Sequence, residues 1–144
     1  MREETYQAIT ILKSLRHKRG RIEDIRIRIV ECRERAARGS SSLSETYVKG
    51  SVSSRIENAI ITIDDLERQL RETEECLNLE RYRIQEAINR IQGDEQKRIL
   101  ELRYIDGKTW KCVQRTMHIS KTQSYRIHCE AVEMFGKTYK SPGA

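Results

Sequence analysis

Stepping by seven from Ile56 meets Ile56, Ile63, Leu70, Leu77, Ile84 and Ile91, an unbroken row of aliphatic side chains. A repeat of seven keeps side chains on one face of a helix, so residues 52–92 are predicted to form a single long helix with one apolar stripe. The positions three later are Ala59, Leu66, Thr73, Glu80 and Ala87, a mixed set. The stripe therefore has one strong seam and one weak one. At 1.5 Å per residue, about 40 residues make a rod of roughly 60 Å. A rod of that kind cannot bury its own stripe and must lie against another helix.

The chain supplies a candidate partner. Residues 6–38 carry Ala8, Ile11, Leu15, Lys18, Ile22, Ile25, Ile29, Cys32 and Ala36 at steps of three and four, with only Lys18 charged. Leu15, Ile22, Ile25 and Ile29 are the expected seam of this first helix. Gly20 invites a local bend, since glycine weakens a helix interior by up to about 1 kcal/mol. The run Ile25 to Val30 alternates like a strand, but the heptad spacing on both sides outweighs it. Between the two stretches, the serines and glycines from Gly39 to Ser44 and at Gly50-Ser51 predict a mobile loop over about residues 39–52, long enough to reverse the chain. Charge favours that reversal. Residues 1–39 hold 11 Lys+Arg and 6 Asp+Glu (+5), whereas residues 40–93 hold 7 and 10 (−3). A basic helix against an acidic one is the expected pairing, and the alternative is that each rod pairs with a symmetry mate.

Gly93-Asp94 marks a helix end and a restart. The segment EQKRILELRYI, residues 95–105, is a short helix with Ile99, Leu102 and Ile105 on one face, and Asp106-Gly107 is a turn. Thr109 then caps a helix bearing Trp110, Val113 and Met117. His118-Ile119 turns the chain, and Ser120 caps a second helix with Ile127, Ala131 and Met134 inward. Two short helices joined in this way form a helix-turn-helix. The expected fold is all-α: a long antiparallel helical hairpin (coiled coil) over residues 1–93, a three-helix helix-turn-helix module over residues 94–136, and a tail over residues 137–144.

A helix-turn-helix reads DNA with the N-terminal end of its second helix. On helical spacing Lys121, Thr122, Tyr125 and Arg126 face outward there, with Gln123 on the flank. Arg and Lys donate to guanine, Gln pairs with adenine, and the threonine methyl touches thymine. Lys108, Thr109 and Lys111 at the start of the preceding helix, with Ser120, are placed to take backbone phosphates. Trp110 is expected in the core, with an indole N–H on a phosphate as the alternative. The net charge of +6 suits a polyanionic partner.

The sequence from Ile99 to Phe135 resembles region 4 of bacterial sigma-70-type factors. It shares Leu102-Arg103-Tyr104-Ile105, Gly107, Val113, Ile119-Ser120, Tyr125-Arg126-Ile127 and Ala131. It departs where the sigma pattern commonly has Ala (Gln114 here), Gly in the turn (His118) and Val (Ser124). With the helical hairpin in front, the whole chain resembles small phage regulators of the ArpU/RinA late-transcription type. That resemblance implies activation of phage late operons in a Gram-positive host.

The leading expectation is a sequence-specific regulator that binds double-stranded DNA as a homodimer and touches bacterial RNA polymerase. Two alternatives stand beside it. One is a small-terminase-like DNA-packaging component, which would form a ring. The other is a coiled-coil adaptor whose module binds protein. No phosphate loop, Ser/His/Asp arrangement or distinct carboxylate pair points to an enzyme or a cofactor. Cys112, His118, His128 and Cys129 follow no zinc spacing, so no metal is expected. No apolar run nears the ~20 residues of a membrane span, and the polar N-terminus is unlike a secretory signal. The expected compartment is the cytoplasm, that of the bacterial host if the chain is phage-encoded.

Overall fold

Residues 2–41 and 49–139 are described by a computed structural model, with side chains for residues 2–38 and 54–139. Among them every regular element is helical: α1 (Glu3–Ser41), α2 (Lys49–Asn89), α3 (Asp94–Leu100), a π-helical turn (Glu101–Ile105), α4 (Trp110–Met117) and α5 (Lys121–Thr138). The chain is an all-helical protein in which a long N-terminal hairpin precedes shorter helices. Helix α1 runs unbroken through Gly20 and through the alternating segment, where Ile25 and Ile29 are buried while Ile27 is 46% exposed. The heptad pattern, not the alternation, sets the local structure. Of the loop expected at about 39–52, residues 39–41 and 49–52 are helical and residues 42–48 lie outside the described residues. Helix α5 also extends past Phe135 to Thr138, and residues 140–144 of the expected tail lie outside the described residues.

The chain divides into two compact units. One is Lys18–Cys76. Here Ile25, Ile29 and Leu66 form a narrow core, with Cys32, Ile63 and Leu70 packed at its edges. Among the described residues, two ion pairs cross between the helices, Arg26–Glu74 at 3.1 Å and Arg33–Glu67 at 2.9 Å. Residue numbers rise by seven along α1 (26 to 33) as they fall by seven along α2 (74 to 67), which is the register of an antiparallel pair. The basic-against-acidic pairing inferred from charge is thus within one chain. Each pair is solvent-exposed and contributes at most about 1 kcal/mol.

The seam of α2 differs from the simple row. Ile56 is 39% exposed, and Ile63 and Leu70 are only half-buried, whereas Leu66, from the row read as mixed, is 8% exposed. Two helices meet between their heptad rows rather than on one of them. A lone pair therefore shares its burial between rows and completes neither.

The other unit is Met1–His17 with Leu77–Ala144. Its core joins Ala8, Leu12 and Leu15 of α1 to Ile84, Ala87 and Ile88 of α2 and to Ile91 beyond it, then to the side chains of the short helices. Gly93, where a helix end was expected, lies inside this unit. The end of α5 is tied to the end of α2: Thr138 Oγ1 donates to the Ala87 carbonyl at 2.9 Å, and Tyr139 Oη donates to Glu80 at 3.3 Å. Leu77 packs half-buried at the edge of the core, and Ile84 and Ile91 are buried within it.

The π-helical turn explains which residues α3 and its extension bury. Asp106 N–H donates to the Glu101 carbonyl at 2.8 Å, a five-residue step. That step places Tyr104 below Ile99 and Ile105 below Leu100, and all four are buried. Leu102, expected on the buried face from an ordinary helical repeat, is only half-buried.

Candidate nucleic-acid interface

Helix α4 begins after a tight turn. Gly107 takes a left-handed conformation at φ 71°. Lys108 N–H reaches back to the Leu102 carbonyl at 2.9 Å, and Arg103 donates to the Lys108 carbonyl at 2.9 Å. Thr109 caps the helix, its hydroxyl accepting from the Cys112 N–H at 3.2 Å. Lys108, Thr109 and Lys111 are exposed around this start, and Val113 is fully buried behind them.

The helix ends on His118, which occupies the left-handed region at φ 56°, ψ 46°. A side chain there costs about 1 kcal/mol, which glycine does not incur. His118→Gly is therefore expected to raise stability by up to about 1 kcal/mol, reduced somewhat by the freer unfolded chain. Thermal unfolding would read this as a rise of a few degrees, and a fall would refute the strain.

Ser120 opens α5 with a reciprocal cap. Its hydroxyl accepts from the Gln123 N–H at 3.1 Å, and Gln123 Oε1 accepts from the Ser120 N–H at 2.9 Å. Lys121, Thr122, Gln123, Tyr125 and Arg126 are all exposed on the first turns, Tyr125 at 72%. Ser124 between them points inward. The sequence-derived base-contact set is thus gathered on one capped helix start, and Lys108, Thr109, Lys111 and Ser120 are exposed on the neighbouring turns. Two members are already engaged. Gln123 spends its carbonyl oxygen on the cap, so pairing with adenine through both amide atoms would break it. Arg126 lies 3.5 Å from Glu130, a contact that a DNA partner would have to outcompete.

Sequence reasoning missed two contacts that seat α5. Gln114 Nε2 donates to Ser124 Oγ at 3.0 Å, and Ser124 Oγ donates to the Lys121 carbonyl at 2.7 Å. The two departures from the sigma pattern at these positions are therefore one feature. The signal was present as a polar residue on each facing helix, but only the fold shows that they meet. On the other flank, Tyr104 Oη and His128 Nε2 lie 2.7 Å apart. Trp110 packs edge-on against His128 with ring centroids 4.8 Å apart, under the Arg103 guanidinium at 5.0 Å. Trp110 packs against the core, in line with the first of its two readings. Burial pushes the His128 pKa down to about 4, helped by the charges of Arg103 and Lys13. Burial also raises Tyr104 to about 12, opposed by Arg103. Both groups are neutral at physiological pH.

Among the described residues, no group of 3 or more His, Cys, Asp and Glu side chains could hold a metal ion. The four cysteines are free, with Cys76 and Cys129 exposed. Among the described residues, no helix is long and apolar enough to cross a membrane.

The sequence matches a family described as protein of unknown function (DUF722) over residues 24–137, from within α1 to the last turn of α5. The chain belongs to that family. Neither a curated protein nor a solved structure matches it.

Proposed function

We propose that this DUF722 protein is a sequence-specific DNA-binding transcriptional regulator. Its α5 enters the major groove of double-stranded DNA and its α4 start rests on the phosphates. The observation that carries this reading is the capped α5. Ser120 and Gln123 fix its first turn, and Lys121, Thr122, Tyr125 and Arg126 project from it. Lys108 and Lys111 supply the phosphate contacts that position such a helix. With the resemblance to sigma region 4 and to ArpU/RinA-type regulators, the reading extends to activation of phage late genes in a bacterial cytoplasm. The protein would act there as a pair of copies, in contact with RNA polymerase.

Genome-wide mapping of bound sites would yield the target, and fluorescence anisotropy on that duplex tests the residues. Arg126→Ala and Lys121→Ala are each expected to weaken specific binding about tenfold, consistent with ~1–3 kcal/mol for a base contact. Lys111→Ala is expected to weaken all sequences alike and to lower the salt slope by about 1. Binding that is indifferent to all three, at unchanged helicity, would remove α5 and α4 as the reading surface.

A further inference from the structure

The exposed aliphatic side chains are concentrated in the unit Lys18–Cys76. Among the described residues, Ile27, Val30, Ile56, Ile60 and Ile61 are each 39% exposed or more there, while the other unit exposes Leu79 and three tyrosines. Their placement on the two helices is not even. The two interhelical ion pairs mark one side of the hairpin, because Arg26 and Arg33 of α1 and Glu67 and Glu74 of α2 meet there. Val30 lies four residues after Arg26 and three before Arg33, so it shares that side of α1. Ile60 lies seven residues before Glu67 and fourteen before Glu74, in the same heptad row, and Ile56 lies one turn earlier. Ile61 falls on a different side of α2.

We propose that this side of the hairpin is where a second copy of the chain docks, the basic arm of one copy lying along the acidic arm of the other. Charge selects that arrangement. Residues 18–41 hold 8 Lys+Arg and 4 Asp+Glu (+4), and residues 49–76 hold 4 and 7 (−3). Two such hairpins can meet face to face about a twofold axis in two ways. An axis across the helices sets basic arm on basic arm and acidic on acidic. An axis along the helices sets α1 of each copy against α2 of the other, antiparallel, and closes a four-helix bundle in which signs alternate around the ring. Only the second arrangement relieves the charge of both arms. It also covers Val30 and Ile60 and gives Ile63 and Leu70, half-buried in the single hairpin, the second layer they lack. The four ion-pair partners keep 38–59% of their side-chain surface open, leaving each able to meet an opposite charge across the interface. A two-helix unit whose core is Ile25, Ile29 and Leu66 has little else to hold it.

This deepens the paired-copy part of the reading above and does not depend on the DNA part, so it is tested on the full-length protein without DNA. Sedimentation equilibrium from micromolar to sub-millimolar concentration is expected to show a dimer. Val30→Glu, which places an acid against the acidic arm of the second copy, is expected to weaken it by about a hundredfold or more, and Val30→Lys by much less. The order reverses on the other helix: Ile60→Lys is expected to be the damaging change and Ile60→Glu the mild one. Ile61→Lys is expected to leave the dimer intact. Far-UV circular dichroism checks that each variant keeps its helix, which these exposed positions should allow. A wild-type monomer throughout that range overturns the proposal, as does a ring of many copies. So do the opposite charge orders, which would mean like arms face each other, and a dimer broken by Ile61→Lys alone.

Discussion

Lowering the pH from about 7.5 to about 5 is expected to cost the unit containing α5 about 2 kcal/mol through His128 alone. In the folded chain its pKa is pushed down to about 4 from an ordinary 6.5. Between those two values the unfolded chain binds a proton that the folded chain refuses, so stability falls as the pH falls. The contribution is fully present above about 6.5 and lost progressively down to about 4, where the total reaches roughly 3 kcal/mol at 1.36 kcal/mol per unit. The cause lies in what surrounds the ring. Burial comes first, then two cations, Arg103 from the π-helical turn and Lys13 from α1, with Tyr104 Oη and Trp110 against the ring and no carboxylate among the groups that shift it. A proton on His128 would meet positive charge without a counter-ion. Urea titrations of the wild type and of His128→Phe, at both pH values, isolate the effect. The wild type should lose about 2 kcal/mol more than the variant. Equal losses, or an NMR titration of His128 centred near 6.5, would show that the ring is not held neutral.

That pocket was invisible in the sequence for a definite reason. His128 stands 24 residues from Tyr104 and 18 from Trp110, and nothing in that spacing announces a meeting. The ordinary helical repeat sets Tyr104 beside Leu100, next to the face of Ile99 rather than on it. The π-helical turn at Glu101–Ile105 adds a residue to the repeat, brings Tyr104 under Ile99 and carries its hydroxyl to His128. No composition signal marks such a turn. By contrast, the caps were legible because they are local. Thr109 and Ser120 each bond within three residues, and such bonds depend on residue type and order alone. The α1 stripe was legible for the same reason, although Leu12, fully buried, fell outside it. Leu12 lies in the unit where α1 meets more than one helix, and a helix with several neighbours buries a wider arc than a two-helix seam requires. The α2 row misled in the opposite sense. Six aliphatics in register suggested a buried line, but a single antiparallel neighbour leaves Ile56 exposed and calls on Leu66 from the next row.

Ser124→Val is expected to destabilise the helix-turn-helix by about 2 kcal/mol, and adding Gln114→Ala is expected to restore most of the loss. Ser124 is 3% exposed, and its hydroxyl receives the Gln114 amide at 3.0 Å while donating to the Lys121 carbonyl at 2.7 Å. Valine takes away the acceptor and sets methyl groups against a half-buried amide that has lost its partner. Gln114→Ala alone is milder, because Ser124 keeps its bond to Lys121 and loses only the bond from Gln114. With both changed, two apolar side chains meet across α4 and α5, and replacing both partners of a hydrogen bond by apolar groups can be nearly neutral. This is also the combination that the sigma pattern commonly carries at these places. A thermodynamic cycle over the four proteins should give a coupling of about 1–2 kcal/mol. Strict additivity would mean that the contact carries no stability. The cycle bears on function as well as on fold, since the bond joins the last half of α4 to the first turn of α5, where Lys121 and Thr122 emerge. If that turn reads DNA, Ser124→Val should weaken binding at a temperature where the protein is still fully folded, and the double variant should recover it. Lost stability without lost affinity would assign the pair to the core alone and leave the orientation of α5 to its caps.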